Sequence, residues 1–126
     1  DLRGADLRDA DLEPIKADFY LILLKAIREI AGLRRALLEG RVNGSTYTGS
    51  CACLVGTIAN EREVPYNTLS GIAPNDSRPA ESFFVAIREG DTPDTNQASA
   101  IVVGWIDEFV ADLRAAHLAV PGFHGV

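Results

Sequence analysis

The sequence predicts an all-α fold, a small helical bundle preceded by a short repeat segment. Three observations carry this expectation. Apolar residues recur at spacings of three and four from Ile15 to Ile30 and from Ile101 to Leu113, the period of a helix with one buried side. Strand signals are few and no βαβ unit is visible. The chain has 126 residues with 47% hydrophobic and 24% charged content, enough for one hydrophobic core and too little for two. The competing reading is an α+β fold in which Cys51 to Ile58 and Ala100 to Trp105 are strands.

The first dozen residues obey a different rule. Leu stands at 2, 7 and 12, Ala at 5 and 10, and Asp at 1, 6 and 11. A five-residue period drifts around a helix and alternates faces on a strand, so it suits neither. It suits a solenoid in which every unit turns the chain through the same angle and stacks Leu and Ala inside.

Ala5-Asp6-Leu7-Arg8-Asp9 and Ala10-Asp11-Leu12-Glu13-Pro14 follow the motif A(D/N)LXX, and residues 1–13 resemble the pentapeptide-repeat family. The resemblance implies a remnant of a right-handed β-helix with Leu and Ala inward, and a segment that is either the last edge of a longer array or a stray extension. It does not imply the DNA-like role of the family's acidic rods, which needs a long array. The body also resembles the region that follows pentapeptide repeats in uncharacterised bacterial and phage proteins. Gly44-Ser45-Thr46-Tyr47, Cys51 to Asn60 and Gly90-Asp91-Thr92-Pro93 carry that likeness, which implies no activity. The expected division is repeat remnant 1–13, helical domain 14–120 and flexible tail 121–126.

Pro14 suits a first helical turn, where its missing N–H costs nothing. Ile15, Phe19, Ile22, Leu23, Ala26, Ile27 and Ile30 share one side of the helix it starts. Gly32 divides this stretch, which predicts two helices meeting near 30–32, the second ending at Gly40 in a left-handed cap. Residues 41–50 are rich in Asn, Gly, Ser and Thr and read as a loop with Asn43-Gly44 as a tight turn. For 51–60 helix and strand both fit; the i to i+4 placement of Leu54 and Ile58 favours a buried helix. After a connection over 61–78, Pro79 opens a helix through Phe83, Phe84 and Ile87 to Glu89. A last long helix runs from about Gln97 to Leu118, with Trp105 and Phe109 on its core side.

The formal charge is 12 − 18 = −6, which repels nucleic-acid phosphates and anionic lipid. Phe19 to Leu24 and Ala100 to Ile106, the longest apolar runs, are too short to span a bilayer. Cys51 and Cys53 are too close in sequence to bridge at ordinary disulfide geometry, which points to reduced thiols and a cytoplasmic protein. The expected partner is another protein or a second copy, with no nucleic acid, membrane or cofactor.

Chemistry is thin on the ground. One residue between the cysteines is too few for the usual zinc pair, and His117 and His124 lie far away. Cys51 could be a nucleophile if a helix N-terminus lowered its pKa and His117 served as base; packing as a small hydrophobe is the plainer role. Tyr47, among the hydroxyls and glycines of 44–50, could contribute to a binding loop. Asn60, Arg78 and Asp91 are further polar candidates for binding, with Arg78 expected to clamp Glu61 to Glu63 or Asp91. The expected function is a non-enzymatic interaction or capping domain of a pentapeptide-repeat protein. The alternative is a small cysteine-dependent hydrolase or transferase using Cys51.

Overall fold

The computed structural model describes residues 11–45, 49, 52–65 and 78–123. The repeat-like residues 1–10 fall outside this set, and so does the β-helix remnant expected there. Among the described residues the elements are helical: α1 (Glu13–Leu24), a 3-10 turn (Ile27–Glu29), α2 (Ile30–Leu38), α3 (Leu54–Arg62), α4 (Pro79–Phe84) and α5 (Gln97–Ala115). The small all-α fold is therefore correct for this part of the chain. Residues 54–58 and 100–105 are helix, which overturns the α+β reading. A lone parallel bridge joins Val42 to Ala52.

Helix α1 packs on α4, α2 packs on α3 and α5, and α3 packs on α4. One core results. Phe19 lies fully buried between Phe84 and Trp105, at ring-centroid distances of 5.8 and 6.1 Å. Phe83 also meets Trp105, with centroids 5.6 Å apart. Leu33 and Leu37 of α2, Leu54 and Ile58 of α3 and Ile106 of α5 complete the interior.

The break after α1 differs from the expected one. It falls at Lys25-Ala26, where the chain tightens into the 3-10 turn, while Gly32 sits inside α2. Glu61 lies against Gly32, where a Cβ would meet the end of its side chain. Gly40 closes α2 at φ +73°, as a left-handed cap should. Gly44 stands where a Cβ would collide with the Phe84 carbonyl, and its N–H donates to the Ile87 oxygen at 2.9 Å. Helix α4 stops at Phe84 and not at Glu89, because residues 85–91 continue as hydrogen-bonded turns.

Helix α5 is the best-specified element. The Asn96 side chain accepts from the Ser99 N–H at 2.8 Å, a standard N-cap. It also donates to the Ala86 oxygen and to Asp91, both at 2.9 Å, which ties the helix start to the α4 turns. The helix ends at Ala115, three residues before the expected Leu118. Val120 is buried and Phe123 packs against the core, so residues 120–123 lie on the body.

Trp105 and Phe109 are both buried, as their spacing predicts. Phe109 packs on Tyr20 of α1 with centroids 4.8 Å apart. Truncating such a ring leaves a cavity, and Phe109→Ala should lower unfolding free energy by about 3 to 5 kcal/mol. Urea titration checks this. A loss below about 0.5 kcal/mol, the usual size for an exposed site, would show that the ring is not part of the core.

Candidate functional site

The residues singled out from sequence do not form one site. Arg78 does form an internal ion pair, but with neither expected acid: its Nε lies 2.8 Å from Asp18 of α1. The other Asp18 oxygen accepts the Ala80 N–H at 3.0 Å, so one carboxylate holds the Arg78 guanidinium and the first turn of α4 together. Asn60 donates to the Gly49 carbonyl at 2.8 Å and ties that residue to α3. Asp91 accepts from the Arg88 N–H at 3.0 Å and from Asn96. Each side chain is spent on a different local structure. Tyr47 and Cys51 lie outside the described residues. His117 is exposed just past α5, in the left-handed region at φ 64°.

The residue at the start of α3 is Cys53. Its sulfur caps the helix by accepting the Gly56 N–H at 3.5 Å. Beside it lies Glu81 of α4, 3% exposed, whose Oε1 accepts the Val55 N–H at 3.1 Å and the Cys53 thiol at 3.7 Å. A carboxylate at a helix N-terminus is favourable on two counts, the orphan amides and the dipole. For the thiol the consequence is the reverse of activation. Burial, followed by the charge of Glu81, pushes the Cys53 pKa up from an ordinary 9.0 to about 12. The cluster is a structural joint between α3 and α4, and at neutral pH Cys53 is a protonated thiol and not a nucleophile.

The exposed side of α1 has a different character. Pro14, Ala17, Leu21 and Leu24 follow a 3-4-3 spacing, which keeps them within about 80° of arc. All four are exposed, with Leu21 at 53% and Leu24 at 52%. Beyond Leu24 the face runs into an open groove of about 630 Å³ between the 3-10 turn and the end of α3, lined by Leu24, Ile27, Lys25, Arg28, Glu61 and Arg62. Arg62 is held in place by Glu29 at 2.7 Å and by the Lys25 carbonyl at 3.2 Å. The α1 face begins beside exposed acids, Asp11 and Glu13, and ends beside exposed bases, Lys25 and Arg28.

This face was readable in the sequence but is easily passed over. The inward residues of α1 announce themselves by period; Leu21 and Leu24 belong to no inward row and are absorbed into the apolar run Phe19 to Leu24. The signal that identifies them is their alignment with Pro14 and Ala17. On the far flank, Lys16 pairs with Glu108 of α5 at 2.9 Å, and that hydrogen bond raises the Lys16 pKa. Arg34 of α2 pairs with Asp107 at 2.8 Å, and its pKa is raised in the same way. Both pairs are partly exposed, so solvent screens them and they add little to stability.

Comparisons with protein-family models, curated proteins and solved structures gave no match. Among the described residues, no three His, Cys, Asp or Glu side chains gather to hold a metal ion, and no helix is long and apolar enough to cross a membrane.

The raised thiol pKa has two measurable effects. In a Cys51→Ser variant, which leaves Cys53 as the sole cysteine, iodoacetamide at pH 8 should react with the native protein at least about 100-fold more slowly than with the urea-unfolded chain, since the thiolate fraction falls about tenfold per pKa unit. A folded-state pKa above the unfolded one stabilises the fold fully below pH 9, and that contribution is lost as pH rises toward 12. Native and unfolded rates within a factor of two would show Cys53 to be accessible.

Proposed function

We propose that the chain is a non-enzymatic protein-recognition domain that caps the end of a pentapeptide-repeat array, with the outer face of α1 as its contact surface. The observation that carries this reading is the pair Leu21 and Leu24. Burying one leucine is worth about 1.5 to 3 kcal/mol, and here two stand half-exposed on the same face of one helix. An exposed apolar row rimmed by charge is the ordinary form of a protein contact.

Two further features support the reading. Helix α1 starts at Glu13, where the repeat-like residues end, so the face is carried by the element that would adjoin the array. Three buried or half-buried polar groups are committed internally: Asp18 to Arg78, Glu29 to Arg62, and Cys53 to its place beside Glu81.

The test is comparative capture. The chain and a Leu21→Asp/Leu24→Asp variant, both verified as folded by circular dichroism, are cross-linked in parallel in cells that express them. Exposed positions tolerate such changes within about 0.5 kcal/mol, so folding should survive. Cross-linked proteins present with the parent and lost with the variant are the expected result. Identical cross-linking by both would mean that α1 is not the contact surface.

A further inference from the structure

The outer face of α1 has a symmetry that names its partner. Proceeding from the recognition reading above, we propose that α1 pairs with α1 of a second copy of this chain, antiparallel, about a two-fold axis that passes between Ala17 and Leu21. Reversing the helix direction places Pro14 against Leu24 of the second copy and Ala17 against Leu21. Each contact thereby joins a smaller side chain to a leucine, the arrangement that lets two helices interdigitate at a 3-4-3 seam. The same operation repeats each contact on the other side of the axis, which is what an isologous dimer requires.

Charge gives the independent argument. The seam is acidic where it begins, at Asp11 and Glu13, and basic where it ends, at Lys25 and Arg28. In the antiparallel arrangement each acidic end meets the basic end of the other copy, at both ends of the seam. A parallel pairing would set acid on acid and base on base. Neither the Glu13 carboxylate nor the Arg28 guanidinium has a salt bridge among the described residues. The groove beside Leu24 and Ile27 lies at the position that receives the Pro14 end of the other copy. The net charge of −6 on each chain is screened beyond about 8 Å at physiological salt, so the local pattern governs docking.

Among the described residues there is no strand whose edge could add an extended peptide, only the bridge between Val42 and Ala52. The seam is about 18 Å long, at 1.5 Å per residue over twelve residues, which is short beside a standard interface of about 800 Å² per partner. The dimer is accordingly weak and depends on concentration.

Sedimentation velocity over a dilution series of the full chain tests this. Expected is reversible dimerisation of the parent with a Kd on the order of 100 μM. Leu21→Asp, at the centre of the seam, should weaken it at least tenfold, with an unchanged circular dichroism spectrum. Glu13→Lys and Lys25→Glu, which face each other in this register, should each weaken it, and the chain carrying both should dimerise like the parent, since the reversed charges again meet their opposites. A parent monomeric at every concentration overturns the proposal, as does a dimer that Leu21→Asp leaves intact or one that the double charge reversal fails to rescue. If the parent is monomeric while the cellular cross-links still depend on Leu21 and Leu24, the second copy is the wrong partner but the recognition reading stands; if both measurements fail, both readings fall.

Discussion

The placement of α1 rests on two adjacent side chains, Asp18 and Phe19. Phe19 is anchored between Phe84 and Trp105 in the middle of the core. Asp18, one residue earlier, ends in a carboxylate that accepts from Arg78 and from the Ala80 N–H. These contacts leave the helix no freedom to rotate about its axis, because a turn of one residue would carry Phe19 out of the core and the carboxylate away from α4. They also supply what the six-residue α4 lacks by itself. Arg78, the residue just before it, makes no side-chain cap, and Asp18 provides the acceptor from across the interface. An acceptor at a helix N-terminus is favoured whichever part of the chain it comes from.

Other buried polar groups follow the same pattern. Glu81 crosses from α4 to the Val55 amide of α3, Glu29 receives Arg62, and Asn96 joins α5 to the Ala86 carbonyl and Asp91. Such bonds contribute modestly when made and cost more when one partner is removed, since the remaining group is left buried without water. The helices are short, from six to nineteen residues, and isolated helices of less than about 12 to 15 residues are marginal in water. Acceptors from neighbouring elements at the starts of α3 and α4, together with the aromatic cluster, therefore fix how these helices face one another. Since the inward side of α1 is fully engaged, Leu21 and Leu24 are left on the outside as a consequence of the fold.

Much of this was legible in the sequence, for reasons that differ by element. The interior of α5 was clear because Ile101, Val102, Trp105, Ile106, Phe109 and Val110 repeat at helical spacing for several turns, and the start of α1 because Pro14 marks a first turn. Gly32 misled: it sits inside α2, and the break falls instead at Lys25-Ala26, where no glycine or proline marks it. The end of α4 was hidden because a distant segment meets it: the Gly44 N–H donates to the Ile87 oxygen just past the helix. The polar candidates Arg78, Asn60 and Asp91 were visible as unusual residues, yet their partners come from 60, 11 and 5 positions away or from the nearby backbone. Spacing along one segment carries no information on such pairings. Tyr47 and Cys51 lie outside the described residues, and the structure gives no account of them.

The most direct measurement of this account is a double-mutant cycle between Asp18 and Arg78, read by chemical denaturation of the parent, Asp18→Ala, Arg78→Ala and the double variant. The side chains are 14% and 21% exposed, so solvent screens the pair only in part. The bond should therefore show a coupling of about 1.5 to 3 kcal/mol, the range for charge-assisted hydrogen bonds. Single losses that add to within about 0.3 kcal/mol would contradict it, since independent residues behave that way, and α1 would then owe its orientation to Phe19 and the core alone.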